Sequence, residues 1–145
     1  MAKYRIYVEK KAGQTHEADG LLKEISFKGE EKFNFAFDVV DALGVSKPDK
    51  LAMLHISEDM TERRFTFQDV KKESARAANY FKSLGIKRGD RVMLVLKRHY
   101  QFWFAILGLH KLGAIAIPAT NQLMEHDFVY RFQAADVSAI LCTAD

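Results

Sequence analysis

Apolar and polar positions alternate with a changing period along this chain, and each change marks an element. Leu51-Ala-Met-Leu-His-Ile56 is a strand-like run, residues 63–67 form a second, and the polar Ser57-Glu-Asp-Met-Thr61 between them predicts a hairpin. From Val70 the period lengthens to three- and four-residue steps. Val70, Ala77, Ala78, Phe81 and Leu84 make one apolar side, with Lys71, Lys72, Glu73, Arg76 and Lys82 on the wet side. That spacing predicts a helix running to about Leu84 and closed by Gly85. Thr66 and Asp69 stand three apart at its start, the spacing of a capping pair. Arg91-Val-Met-Leu-Val-Leu96 is then apolar almost throughout, the mark of a strand buried on both faces of a parallel sheet.

The rhythm continues with a helix over 100–112, a short strand over 114–117 stopped by Pro118, a helix over 126–135 and a strand over 137–142. Strands alternating with helices predict an α/β fold, a mainly parallel sheet flanked by helices. Upstream, Phe33-Asn-Phe-Ala-Phe-Asp-Val-Val-Asp-Ala-Leu-Gly44 predicts a short helix. Asn34 is its candidate cap, Gly44 its left-handed C-terminal residue, and Pro48 prevents continuation. Residues 1–30 are charged and weakly periodic and read as a peripheral lead-in, leaving 31–145 as one incomplete domain.

Composition excludes several classes. The chain has 145 residues, 48% hydrophobic and 28% charged, enough for one real core. Its net charge of +3 is spread among interspersed acids and bases, so the footprint of a nucleic-acid binder is missing. Residues 1–9 carry no apolar signal core, and the apolar window at 102–118 is interrupted by His110 and Lys111, short of a membrane span. The expectation is a soluble, cytoplasmic protein. Cys142 is the only cysteine, lies in an apolar run and is expected as a small core residue.

The candidate chemistry thins on inspection. Gly108-Leu-His-Lys-Leu-Gly113 has the glycine spacing of a phosphate loop, but Ala114 and Ile115 stand where Lys and Ser or Thr are needed. A helix end and tight turn is the better account. Arg88-Gly-Asp90 reads as the turn feeding the next strand. The histidines at 16, 55, 99, 110 and 126 offer no pair at ligand spacing on one helix face, and no Gly-x-Ser-x-Gly elbow exists. Tyr100, Phe102, Trp103 and Phe104 are expected mostly in the core. Part of the cluster should face outward, since one helix cannot bury four adjacent aromatics on a single side.

Order and spacing say more than any one segment. Phe65-Thr-Phe-Gln-Asp-Val70 resembles the first core motif of adenylate-forming enzymes, and Leu112-Gly-Ala-Ile-Ala-Ile-Pro118 is similar to their second. Gly89-Asp-Arg-Val92 between them matches the family's usual entry into a strand. Phe33-Asn-Phe-Ala-Phe-Asp-Val-Val-Asp41, Pro118-Ala-Thr-Asn-Gln-Leu123 and Tyr130-Arg131 resemble the medium-chain branch of the AMP-forming acyl-CoA synthetases. The resemblance covers about residues 31–145.

What the resemblance implies is a two-step ligase using a carboxylic acid, ATP, Mg²⁺ and CoA. The family's ATP loop, its aromatic-Thr-Glu motif, its ribose-binding Asp and its carboxy-terminal lysine have no counterpart in these residues. The expectation is therefore an amino-terminal portion, inactive alone, with no catalytic residue of its own and some tendency to self-associate. The alternative is a free-standing short binding or assembly module that keeps the scaffold without catalysis. One binding element carries over: the turn Thr120-Asn121-Gln122 corresponds to a turn bordering the CoA channel in some relatives. The same turn also reads as an ordinary polar strand-to-helix loop.

Overall fold

The computed structural model describes residues 12–16, 22–27 and 32–144. The chain divides into two units between Phe33 and Asn34. In the first, β1 (Ala12–His16) and β2 (Leu22–Phe27) pair antiparallel, with a register shift between Thr15 and His16. The charged residues 1–9 lie outside the described residues.

The second unit opens with a π-helical stretch, Ala36–Asp41, that runs into α1 (Ala42–Ser46). The wide turn shows in its hydrogen bonding, because the Ala42 N–H donates to the Phe37 carbonyl five residues back. Asn34 caps this start as its type predicts. Its Oδ1 accepts from the Ala36 N–H at 3.0 Å, while its Nδ2 donates to the His110 carbonyl at 2.7 Å. Gly44, expected as the left-handed end of the helix, instead lies buried inside α1. A Cβ there would stand 3.0 Å from the Phe67 carbonyl oxygen and 3.1 Å from the Lys71 Cβ, so close approach rather than chain reversal accounts for the glycine.

The predicted hairpin forms from β3 (Leu51–Ile56) and β4 (Glu62–Thr66), paired antiparallel. It leads directly into α2 (Phe67–Ser83) through a complete capping box. The Asp69 N–H donates to Thr66 Oγ1 at 3.2 Å, and the Thr66 N–H donates to Asp69 Oδ2 at 2.8 Å. Thr66→Ala should therefore cost about 1 kcal/mol in a urea melt. The same bonds, the Thr66 N–H first and then its hydroxyl, hold the Asp69 carboxyl below its ordinary value. A depressed carboxyl stabilises the fold above the unfolded-state value, about pH 4, and that contribution fades as pH falls through the lower folded value. Asp69→Asn should flatten the acid limb of the stability profile below about pH 4, measurable as Tm against pH.

Along α2 the buried positions are Val70, Ser74, Ala78 and Phe81. Leu84, expected on that stripe, is 61% exposed because it falls one residue past the last turn. Ser74 is fully buried in its place among the inward positions, its hydroxyl donating to the Lys71 carbonyl at 3.1 Å. Gly85 then leaves the helix at φ 89°, as predicted for a left-handed stop.

β5 (Arg91–Val95), β6 (Ile115–Pro118) and β7 (Ala139–Cys142) form the parallel sheet in the order β6-β5-β7, with α3 (Gln101–Leu112) and α4 (Glu125–Ala135) as crossovers. The central strand is the one with the unbroken apolar run, and Val92 to Leu96 are all buried. Its Val92, Leu94 and Leu96 join Phe81, Ala105, Leu109 and Ala114 in the main core. A second cluster joins Ala36 and Val40 to Val70, Phe104 and Leu107. Right-handed crossovers leave β5 in one direction and pass it in the other, which puts α3 and α4 on opposite faces. α4 buries none of its residues, and Ile115, Val129, Tyr130 and Ile140 remain well exposed.

Candidate functional site

In open parallel sheets ligands sit at the carboxyl ends of the strands, where crossovers diverge. The central strand ends in Leu96, followed at once by Lys97 and Arg98, both exposed. Lys97 adopts φ 32°, and the His99 N–H closes the turn by donating to the Leu96 carbonyl at 3.0 Å. Beside it, Pro118 ends β6 but the Ala119 N–H still donates to the Leu94 carbonyl at 2.9 Å, carrying the pairing one residue further. Thr120, Asn121 and Gln122 then turn outward, all exposed, with the Gln122 N–H donating to Thr120 Oγ1 at 3.2 Å. The β3–β4 turn supplies Glu58. Together Glu58, Lys97, Arg98, Ala119, Thr120 and Asn121 line an open concavity of about 390 Å³.

Two of the three sequence-predicted residues, Thr120 and Asn121, thus share a concavity, while Gln122 is outside its lining. Lys97, Arg98 and Glu58 were not legible as site residues. The available signal was the placement of two cations directly after the apolar strand. A second concavity, of about 480 Å³, is lined by Gly44, Gln68, Asp69, Lys71, Lys72 and Ala75, where Asp69 already serves the helix cap.

The other candidates resolve into structure. Gly108 lies within α3, where a Cβ would stand 2.9 Å from both the Ala77 Cβ and the Ala78 nitrogen. It is the close approach of α3 to α2, neither a phosphate loop nor a helix end. Gly113 does end the helix, at φ 71°. Gly89 turns at φ 85° in the Arg88-Gly-Asp90 segment, with the Lys87 N–H donating to Asp90 Oδ2 at 2.9 Å. Tyr100 packs against Phe65 at 5.0 Å and His55 at 5.2 Å, and the Arg63 guanidinium lies 5.5 Å over its ring. Phe104 is buried and Trp103 is 54% exposed, so the aromatic run divides between core and surface as its spacing predicts.

Cys142 corrects the expectation of a core residue, since it is exposed. Burial alternates along β7, and Cys142 shares its outward side with Ile140. His110 is half-buried, and that burial lowers its imidazole below the ordinary 6.5. Among the described residues no three of His, Cys, Asp and Glu gather where they could hold a metal ion. The Gly108–Gly113 segment is helical up to Leu112, so it does not form a phosphate loop. No helix among the described residues is long and apolar enough to cross a membrane.

Comparison with known proteins matches residues 42–145 to the family model described as AMP-binding enzyme. Over 117 residues the chain is 38% identical to the mitochondrial acyl-coenzyme A synthetase ACSM5 of Rattus norvegicus, and 33% identical to ACSM3 of Homo sapiens. Each match covers 77% of this chain and 20% of the relative, so the chain spans about a fifth of the length of these curated relatives. Among solved structures, the Brucella canis acyl-CoA synthetase superposes with a TM-score of 0.69 at 28% identity, covering 74% of this chain and 20% of that one. The fatty acid AMP ligase of Legionella pneumophila shares the fold, with a TM-score of 0.68 at 24% identity over 83% of this chain and 22% of its own.

Proposed function

The chain belongs to the family of AMP-binding enzymes, and from that membership we propose that it forms the amino-terminal scaffold of an AMP-forming acid–CoA ligase of the medium-chain type. The observation that carries this reading is the family match over residues 42–145, which takes in the hairpin, α2 and the whole parallel sheet. In the proposed reaction a carboxylate attacks the α-phosphate of ATP, giving an acyl-adenylate and pyrophosphate. The thiol of CoA then displaces AMP to give acyl-CoA. Bound Mg²⁺ would offset the charge that develops on the phosphates.

This chain's own part is to hold shape. β5 and its neighbours set one wall of the site, and the turn Thr120-Asn121-Gln122 borders the path of CoA. Chemistry is assigned to residues elsewhere in such a ligase, of whose curated relatives this chain covers about a fifth. The exposed apolar side chains on α4 and the sheet, among them Val129, Tyr130 and Ile140, favour self-association of this chain by itself. A cytoplasmic location is also proposed, although the named mammalian relatives are mitochondrial. Fractionation of cells making a tagged chain tests it.

The reading is tested by replacing the matching fifth of the Brucella canis synthetase with residues 34–145 of this chain. The expected chimera folds and still forms acyl-CoA with release of pyrophosphate. A chimera that melts like the parent yet forms no acyl-CoA contradicts the reading.

A further inference from the structure

The cover on one face of the parallel sheet is held differently from the cover on the other. Val92, Leu94 and Leu96 of β5 pack into the main core with side chains from α2 and α3. Met93 and Val95 alternate to the opposite face, where α4 lies, and both are buried. Yet α4 buries none of its own residues, and among the described residues β7 pairs with β5 alone. Beyond that ladder, a cluster of bonds to Arg91 holds the segment. Its Nε donates to the Ala135 and Asp136 carbonyls at 3.1 and 3.0 Å, and its Nη2 donates to the Asp136 carboxylate. Its carbonyl accepts from the Ser138 N–H at 2.8 Å. Asp136 itself ends α4 in the left-handed region, at φ 47°. We propose that α4, the Asp136 turn and β7 open as one unit while the hairpin, α2, α3, β5 and β6 stay folded, with Arg91 as the clasp.

The distribution of buried contacts sets where such an opening starts. Local openings begin where few apolar contacts are lost, and they cost less than global unfolding. Detaching α2 or α3 would break both apolar clusters at once. Detaching α4 and β7 gives up the cover over Met93 and Val95, the partly buried Ala139 and Leu141, and one strand ladder. The Arg91 guanidinium satisfies the last carbonyls of α4, groups that a helix end leaves without partners of its own. It reaches them from the first residue of β5, so the clasp joins the movable segment to the fixed strand. The Asp136 side chain is 91% exposed, which makes its ion pair the smaller part of the hold and the carbonyl bonds the larger. The hinge is the exposed turn of Thr120, Asn121 and Gln122 between β6 and α4. Opening uncovers Met93, Val95 and one edge of β5. The device rests on these bonds and not on the ligase reading.

Native-state hydrogen exchange of the full chain, read amide by amide by NMR in low urea, tests this. The expected pattern is one shared opening energy for the α4 and β7 amides, below that of α2 and α3. Arg91→Gln should speed exchange in α4 and β7 about tenfold, the weight of a charge-assisted hydrogen bond. Asp136→Asn keeps a residue that tolerates the left-handed region and should speed it about threefold. Val70→Ala, in the second cluster, should speed exchange in α2 and leave α4 and β7 unchanged, because Val70 stays packed in the opened form. Amides of β7 as slow as those of α2, or moved by Val70→Ala as far as α2 itself, would show only global unfolding and overturn the proposal. Exchange in α4 and β7 unmoved by both Arg91→Gln and Asp136→Asn would overturn the clasp.

Discussion

Asp41→Ala is expected to cost about 3–5 kcal/mol of folding stability, the range for breaking one side of a buried ion pair. Lys111 Nζ lies 2.9 Å from Asp41 Oδ1, and the two side chains are only 6% and 17% exposed. The ammonium also donates to the Lys71 carbonyl at 3.2 Å and lies 5.7 Å over the Phe37 ring. It therefore ties α3 to both the π-helical stretch and α2. Removing the carboxylate leaves a charge sealed from water with one carbonyl and a ring face to offset it. Adding Lys111→Met should recover much of the loss, because a buried pair replaced whole by apolar atoms is often nearly neutral. Urea melts of both single variants and the double variant check this. A double variant as unstable as the sum of the singles would show that the pair is not coupled.

Leu94→Ala is expected to cost about 2–5 kcal/mol, a large part of the stability a domain of this size possesses. Leu94 is fully buried on the central strand and clusters with Phe81, Leu109 and Ala114. Its neighbours come from α2, α3 and the residue just before β6, held by backbone bonding that includes the Ala114 N–H to the Leu109 carbonyl, so the cavity cannot easily close. Tm should fall by roughly 10 °C or more for a domain of this length, read by circular dichroism. Ile140→Ala, on the opposite face and 43% exposed, should lower Tm far less.

Much of the fold was legible because local signals agreed with one another. The unbroken run in β5 announced a central parallel strand, Thr66 and Asp69 announced a helix start, and Gly85 and Gly113 announced two helix ends. What failed did so where burial depends on partners distant in sequence. Gly44 and Gly108 read locally as turns, yet each is a glycine because another helix comes within about 3 Å of its Cα side. Cys142 reads as core from its apolar neighbours, yet β7 is uncovered on the face it points to.

The candidate site was half legible for the same reason. Thr120, Asn121 and Gln122 could be carried over from a family motif, but Lys97, Arg98 and Glu58 belong to different loops brought together only by the sheet and the hairpin. The pair Asp41–Lys111, 70 residues apart, left no local trace at all. Charged residues along a helix read as a wet face unless something outside that helix covers them.

The central claim is that these residues supply the frame of an adenylate-forming ligase and not its nucleotide chemistry. Calorimetric titration of the full chain with ATP and with CoA, Mg²⁺ present, tests it most directly. The expected result is no ATP binding in the micromolar range. Micromolar ATP binding that depends on the adenosine moiety would contradict the account, because a nucleotide site would then exist within these 145 residues.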